Sequence, residues 1–259
     1  MLSLEHPPTV HLQAIRQQKG SKAIMTRFKD QKKLKAVTFS YDDGITQDIR
    51  LIELLNKYGL KSTFNLNSEL LSERGVLHRN NGYVSHYKIH RSDVRDVYKD
   101  HEIAVHTLTH PNLTQLDDAE IVRQVEVDRQ NLSELAGYEV VGMAYPCGGV
   151  NNNDRVAEII KSNTGVKYCR TITSSSCFDT QENLFRFNPT LFHLDFDQMM
   201  SLGEKFIEMK PDRPQILYIW GHSFEMDYAS DNWVKLERFF ELISNRDDMF
   251  YGTNKEVLL

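Results

Sequence analysis

Short apolar segments typical of buried strands alternate with amphipathic helical segments along the chain from Ala36 onward. The predicted strands cover residues 36–39, 62–66, 102–105, 140–145, 166–172, 215–220 and 250–251. Because parallel strands need a crossover that is usually helical, this alternation predicts an α/β fold with a mainly parallel sheet. About seven such units favour closure of a single domain into a (β/α) barrel, with an open doubly wound sheet as the alternative.

Two segments lack this alternation. Residues 1–33 have little apolar patterning, and we expect them to form an N-terminal leader or extension before a folded domain at 34–259. Six basic residues between Lys22 and Lys35 leave attachment to an anionic surface as an alternative role. Residues 72–100 are polar and weakly periodic, which predicts a long connection with a short helix near 94–98.

The charge balance argues against a general nucleic-acid binder. The chain has 31 Lys and Arg against 36 Asp and Glu, a net charge of -5, whereas such binders usually carry a basic excess. No run approaches the about 18 apolar residues of a transmembrane helix. The first residues show no basic segment followed by an apolar core, and the three cysteines form no C-x-x-C pair. We therefore expect a cytoplasmic protein, although a secreted fragment without its signal would look the same.

Polar clusters follow four of the predicted strands directly. They are Tyr41-Asp42-Asp43-Gly44, His106-Thr107-Leu108-Thr109-His110-Pro111, Tyr145-Pro146-Cys147-Gly148-Gly149 and Gly221-His222-Ser223-Phe224-Glu225. The carboxyl ends of parallel strands lie on one face of a barrel or an open sheet, and ligands bind there. The sequence therefore predicts that the four clusters meet in one site.

Two of the clusters contain residues that bind metals in proteins. His106 and His110 are four residues apart, a spacing with which two imidazoles share one ion on a helical turn, but unrelated surface histidines are the alternative. The Asp42–Asp43 pair can supply a third ligand and leave the other carboxylate free as a base. An ordinary Asp-Gly turn at Gly44 is the alternative.

The other two clusters offer a proton donor and a bend. His222 follows a strongly apolar strand, a position suited to general acid catalysis, although a structural histidine is the alternative. Pro146 and the two glycines that follow Cys147 make a rigid bend with flexible backbone, whose amides can form an oxyanion hole. Cys147 as a nucleophile is the alternative role.

Together the four motifs, in this order, resemble the polysaccharide deacetylases with a NodB-type domain, carbohydrate esterase family four. The resemblance rests on residues 38–44, 101–111, 144–148 and 220–222 and spans about residues 36–257. It implies a distorted, incomplete (β/α) barrel over 34–259. It also implies one divalent metal ion, zinc before cobalt or nickel, and hydrolysis of N-acetyl or sometimes O-acetyl groups on carbohydrates.

The resemblance also implies a role for each motif residue. Asp42 matches the catalytic base, His222 the general acid, and the backbone N–H of Cys147 the oxyanion donor. The implied metal ligands are Asp43, His106 and His110.

The chain departs from the family pattern at three positions. Ala144 stands where the family often has an arginine that braces the catalytic aspartate, Cys147 stands where an aromatic residue is frequent, and Trp220 replaces a leucine of the acetyl pocket. We expect Arg186 to replace the missing arginine, because it lies between Phe185 and Phe187 in a strand-like run and would point into the barrel.

Arg170 is a weaker candidate for the same task, and a surface arginine or a salt bridge to another acid is the alternative for Arg186. Two further functions stay open. One is hydrolysis of a small non-sugar amide, which a pocket narrowed by Trp220 would favour. The other is a catalytically silent carbohydrate-binding protein of the same fold. The intact set of acidic and histidine residues argues against a silent protein, and the leading hypothesis is a deacetylase that acts on a carbohydrate.

Overall fold

The computed structural model describes residues 33–79 and 82–259. The predicted extension at 1–33 therefore lies almost entirely outside the described residues. None of the helices within the two described ranges is long and apolar enough to cross a membrane.

The described chain contains ten strands, with helices between most strands of the main sheet. The strands are β1 (Lys35–Asp42), β2 (Ser62–Leu66), β3 (Arg74–Arg79), β4 (Gly82–Tyr87), β5 (Glu102–Val105), β6 (Gly142–Ala144), β7 (Tyr168–Arg170), β8 (Leu191–Phe192), β9 (Gln215–Gly221) and β10 (Met249–Tyr251). The helices are α1 (Gln47–Lys57), α2 (Val94–Val97), α3 (Asp118–Val122 and Asp128–Ala136, joined by a π-helical Arg123–Val127), α4 (Asp154–Asn163), α5 (Phe196–Glu208), α6 (Asn232–Ile243) and α7 (Asn254–Leu258). Short 3₁₀ segments lie at Arg91–Asp93, Leu113–Gln115, Leu184–Arg186 and Ser223–Tyr228.

The main sheet is parallel and curls into an incomplete barrel, as predicted. Seven strands run in the order β7-β6-β5-β2-β1-β9-β8, and β10 pairs with the first half of β1. The chain between Phe187 and β8 bridges the two edges of the sheet. Phe187 accepts a hydrogen bond from Thr171 beside β7, and Thr190 donates to Tyr218 of β9. The domain is therefore a single, distorted (β/α) barrel.

The central strand β1 is buried at all eight positions, and helices cover the sheet. Phe39 meets Phe239 and Phe240 of α6 edge-on, with ring centroids 6.4 and 5.1 Å apart. Helix starts follow their capping residues: the Asp117 carboxylate accepts from the Glu120 N–H at 2.8 Å, and Asn153 caps α4 in the same way. This packing fixes the strand ends on which the polar clusters lie.

The prediction for residues 72–100 is wrong in part. A β-hairpin, β3–β4, occupies most of this segment, followed by the short helix α2. The hairpin buries one residue, Val84, against Ile45 and Phe224, and its Leu77 is partly buried against the same cluster. Its strands therefore carry only a faint alternation of apolar and polar residues. The hairpin matters for the site because the end of β4 and the residue after it bring His86 and Lys88 to the carboxyl face of the barrel.

Candidate active site

The four polar clusters meet in one pocket at the carboxyl ends of the strands, as predicted. The pocket has a volume of about 180 Å³. Its walls are Asp42, Asp43, His106, His110, Tyr145, Cys147, Gly148, Ile172, Trp220 and His222. Parallel topology accounts for this convergence, since each cluster follows a strand of the same sheet.

Asp42 ends β1 and is buried against an arginine. Both of its carboxylate oxygens lie 2.5 Å from Nη2 of Arg170, and Oδ1 also accepts from Asn65 at 2.8 Å. Burial alone would raise the pKa of Asp42, but interactions with Arg170, and after it with His106 and His222, together outweigh burial, and the pKa lies below its usual value. The carboxylate is therefore ionised and held in one orientation.

The expected contact between Arg186 and Asp42 is not formed. Residues Leu184–Arg186 form a 3₁₀ turn rather than a strand, so the alternation inferred from the two phenylalanines does not apply. Arg186 instead lies 2.6 Å from the exposed carboxylate of Asp154 and donates to Asn152 at 2.9 Å. The arginine that braces Asp42 is Arg170.

Arg170 reaches Asp42 from β7 across the interior of the barrel. It is fully buried, with the Trp220 ring 4.6 Å from its guanidinium carbon. Residues 166–172 contain two charges, Lys167, which is exposed, and Arg170, which the fold buries. The buried charge must find a partner inside the fold, because an unpaired buried charge is costly.

Asp43, His106 and His110 form a cluster with the chemistry of a divalent cation site. One ligand atom from each lies within 4.8 Å of the other two. The Nδ1 atom of His106 is 2.9 Å from the Ala144 carbonyl oxygen, which leaves Nε2 facing the cluster, and Nε2 of His110 is 3.7 Å from Oδ1 of Asp43. Two imidazoles and one carboxylate suit zinc and neighbouring metals. These residues therefore fit the metal that the sequence predicts.

Protonation states in the cluster also suit a cation. Burial lowers the pKa of His106 to about 4 and lowers that of His110, so both rings are neutral near pH 7. Burial opposes ionisation of Asp43, but a hydrogen bond with His86 and the Lys88 charge hold its pKa well below the usual value. Neutral imidazole and ionised carboxylate are the forms that bind metals.

The backbone of the site is locally strained. Asp43, Thr107, His110 and Cys147 all have left-handed conformations, with φ of 81°, 69°, 61° and 69°. Such conformations cost energy in residues other than glycine and concentrate at functional sites. The two histidines accordingly lie on an irregular loop and not on a helical turn, with ring centroids 4.9 Å apart.

A lysine and a histidine that the sequence analysis missed flank Asp43. Lys88 is buried, donates to the Asp43 backbone oxygen at 2.8 Å and lies 3.3 Å from its Oδ1. His86 lies 3.3 Å from Oδ2 of the same carboxylate. Both come from the hairpin and the residues after it, so a correct prediction of β3–β4 would have been needed to find them.

His222 faces Asp42 across the pocket. Its Nε2 atom is 3.9 Å from Oδ2 of Asp42, and its Nδ1 atom is 3.1 Å from Oε2 of Glu225. Burial would lower the pKa of His222, but the hydrogen bond and charge of Glu225 raise it to about 9. The ring is therefore an imidazolium near pH 7, and Glu225 is a functional residue that the sequence analysis did not single out.

Cys147 lies at the edge of the pocket beside His110. Its sulfur is 3.8 Å from Nδ1 and 3.4 Å from the carbonyl oxygen of His110. Burial, followed by the negative charge of Asp43, raises the pKa of the thiol. A raised pKa disfavours the thiolate, which argues against Cys147 as a nucleophile.

A sequence model of one protein family matches residues 29–168, more than half of the chain; that family is described as polysaccharide deacetylase. The chain belongs to the polysaccharide deacetylase family. No curated protein sequence matches it significantly.

Solved structures of deacetylases share the fold of this family member at low sequence identity. A structure titled T48 deacetylase with substrate aligns with a TM-score of 0.54 and 14% identity over 86% of this chain and 90% of that one. The Xyl-CE4 domain of a multidomain xylanase from the hindgut metagenome of Trinervitermes trinervoides aligns with a TM-score of 0.51 and 15% identity, over 87% of this chain and 89% of that one. The polysaccharide deacetylase Bc1974 from Bacillus cereus aligns with a TM-score of 0.50 and 14% identity, over 85% of this chain and 91% of that one.

Proposed function

We propose that this chain is a metal-dependent hydrolase that removes an acetyl group from the nitrogen of an acetylated carbohydrate. The observation that carries the proposal is the separation of two neighbouring carboxylates. Asp43 joins His106 and His110 in a metal-type cluster. Both oxygens of Asp42 are instead engaged by Arg170, and its Oδ2 lies 3.9 Å from Nε2 of His222 and 4.0 Å from Nε2 of His106. A ligand set, a base and an acid thus line one small pocket.

The cluster would hold one divalent ion, zinc before cobalt or nickel. When bound, such an ion polarises the acyl carbonyl and lowers the pKa of a water at its open position. Asp42 accepts a proton from the attacking water, and its ionisation through Arg170 prepares it for that task. The Cys147 backbone N–H donates a hydrogen bond to the acyl oxygen as negative charge develops there.

His222 donates a proton to the leaving nitrogen. An amine is a poor leaving group unless it is protonated, so the acid must carry its proton at the working pH. With a pKa of about 9, His222 is protonated near pH 7. Asp42 and His222, 3.9 Å apart, thus hold opposite charge states that suit a base and an acid.

The walls of the pocket suit an acetyl group. Trp220, Ile172 and Tyr145 supply apolar surface around the polar residues, and the volume of about 180 Å³ accepts a small acyl group. The family acts on acetylated carbohydrates, which favours a sugar as the rest of the substrate. The bulk of Trp220 in so small a pocket supports a second candidate, a small non-sugar amide.

An acetate-release screen separates these functions. Zinc-, cobalt- and nickel-loaded protein is incubated with N-acetylated sugar oligomers, O-acetylated xylo-oligosaccharides and small N-acetyl amines, with His106→Ala as the matched control. The proposal expects acetate from the N-acetyl sugars and none from the control. Release only from the small amides would support the second candidate. Metal binding without release from any compound would instead indicate a silent carbohydrate-binding protein.

A further inference from the structure

A second histidine, His193, lies behind His222, and both rings contact the carboxylate of Glu225. His193 follows β8 and is fully buried, and its Nε2 atom is 2.7 Å from Oε2 of Glu225. The same oxygen is 3.1 Å from Nδ1 of His222 and accepts the His222 backbone N–H at 3.1 Å. Oε2 of Glu225 therefore contacts three nitrogen atoms, which belong to the residues that follow β8 and β9.

The proton positions in this network follow from its partners. Burial lowers the pKa of His193, so the ring is neutral and carries one proton. Within the described part of the chain, Nδ1 of His193 has no hydrogen-bond partner. Because a carboxylate only accepts, the proton must lie on Nε2 and point at Glu225. His193 is thus a fixed, neutral donor.

Packing holds the His193 ring in one place. A Cβ atom on Gly221 would overlap this ring, so the strand just before His222 needs glycine for the imidazole to lie against its backbone. The Tyr41 ring meets His193 edge-on, with centroids 5.4 Å apart, and Phe192 lies 5.1 Å away. The donor therefore cannot turn away from Glu225.

We propose that His193 is a positioning residue for His222: by donating to Glu225 it fixes the carboxylate that holds the His222 ring with Nε2 towards Asp42. The role in catalysis rests on the proposed function, in which His222 is the acid. The side chain of Glu225 is about one-tenth exposed, and without the His193 donor the carboxylate is free to turn towards water. His222 would then lose part of the interaction that keeps it protonated.

The charges around His222 agree with this arrangement. Burial would raise the pKa of Glu225, but hydrogen bonds from His193 and His222 lower it to about 2. The charged and titratable groups that face His222 are Glu225 and His193 on one side and Asp42, Asp43 and His110 on the other. Of these, Glu225 raises the pKa of His222 most.

Two variants of His193 separate hydrogen bonding from packing. His193→Gln places an amide N–H near the position of ring Nε2, whereas His193→Met fills similar space without a donor. Zinc-loaded protein labelled with ¹⁵N and ¹³C at histidine is titrated by NMR, and the His222 signals are assigned from His222→Gln. We expect the same midpoint in the parent protein and in His193→Gln. In His193→Met the midpoint falls by about one pH unit or more.

Two results would overturn the proposal. One is the same His222 midpoint in His193→Met as in the parent protein, and the other is an equal decrease of that midpoint in His193→Met and His193→Gln. A measurement on the parent protein covers the case in which a variant does not fold. The ¹⁵N shifts of His193 must show a neutral ring with the proton on Nε2, and a charged ring or the other tautomer would contradict the assignment. None of these results depends on acetate release, so they stand or fall separately from the proposed deacetylase activity.

Discussion

Both carboxylate oxygens of Asp42 lie 2.5 Å from the guanidinium of Arg170, and the contact joins the central strand β1 to β7 across the interior of the barrel. The family arginine that precedes the Tyr145–Pro146 bend is replaced by Ala144 in this chain, so the bracing charge comes from a different strand. The same contact occupies both oxygens of Asp42 and helps to keep the carboxylate ionised, which the Arg170→Met variant tests.

Arg170→Met is expected to lower turnover sharply while the metal stays bound, because Asp42 loses its orientation. It also leaves a buried carboxylate without its cation, which destabilises the fold by about 3–5 kcal/mol. Acetate release, elemental analysis and urea unfolding measure the three effects. Arg170→Lys keeps the charge and folds more readily, but it cannot reproduce the guanidinium geometry, so turnover stays low. Arg186→Met is the matched control, and a comparable loss of turnover there would argue against Arg170 as the bracing residue.

His106→Ala is expected to abolish tight binding of the divalent ion. Its Nε2 atom faces the cluster, and the two remaining ligands cannot hold the ion at typical zinc–nitrogen distances of about 2.0–2.1 Å. Competition with a chromophoric chelator measures the affinity. His78→Ala, on the exposed part of the hairpin, should bind the ion as the parent does. Retention of the ion in His106→Ala would remove this residue from the site.

Asp42→Asn and Asp43→Asn are expected to act differently although the residues are adjacent. The first keeps the metal and loses about 10²–10⁴-fold in turnover, the usual contribution of a well-placed base. The second loses the metal, since Asp43 supplies a ligand oxygen. Elemental analysis and turnover are measured for both variants. Loss of metal from both would show that Asp42 and Asp43 share one role.

Activity is expected to fall as the pH rises through about 9. His222 donates a proton only in its charged form. Glu225 raises the pKa of His222 to about 9, so the ring is protonated below that pH and neutral above it. Glu225→Gln removes the negative charge, which lowers the pKa of His222 and moves the alkaline fall in kcat to lower pH. An unmoved alkaline limb in the variant would mean that another group produces it.

Gly221→Ala is expected to destabilise the fold by about 1–3 kcal/mol, the usual cost of overpacking. The added Cβ would overlap the His193 ring, which is fixed between β8 and β9. Gly148→Ala is the control, because an added Cβ there has no heavy atom within 4 Å. Urea unfolding of both variants tests the difference, and equal stability would mean that the His193 ring can move aside.

The sequence predicted the parts of the site that follow directly from strands. Asp42, His106 and His222 lie at the ends of parallel strands, so sequence order and topology suffice to bring them together. The sequence indicates Arg170 only as a weaker candidate, and β7, in which it lies, is a strand of three residues, in which alternation is a weak guide to side-chain direction. Arg186 failed because a local 3₁₀ turn replaced the expected strand.

Other contacts depend on tertiary packing that no local pattern records. His193 reaches Glu225 only because Gly221 leaves room for its ring, and Lys88 reaches Asp43 only because a hairpin precedes it. The hairpin itself buries a single residue well, so its strands lack the alternation by which strands are predicted.

In the proposed function, bound metal and deacetylation belong to one site. The most direct measurement is acetate release from an N-acetylated sugar oligomer by metal-free protein titrated with zinc, with metal content determined in the same samples. We expect no release without metal, release that rises in proportion to occupancy up to one ion per chain, and none from His106→Ala at the same total zinc. Undiminished release from the metal-free protein, or metal-saturated protein that releases no acetate, would contradict it.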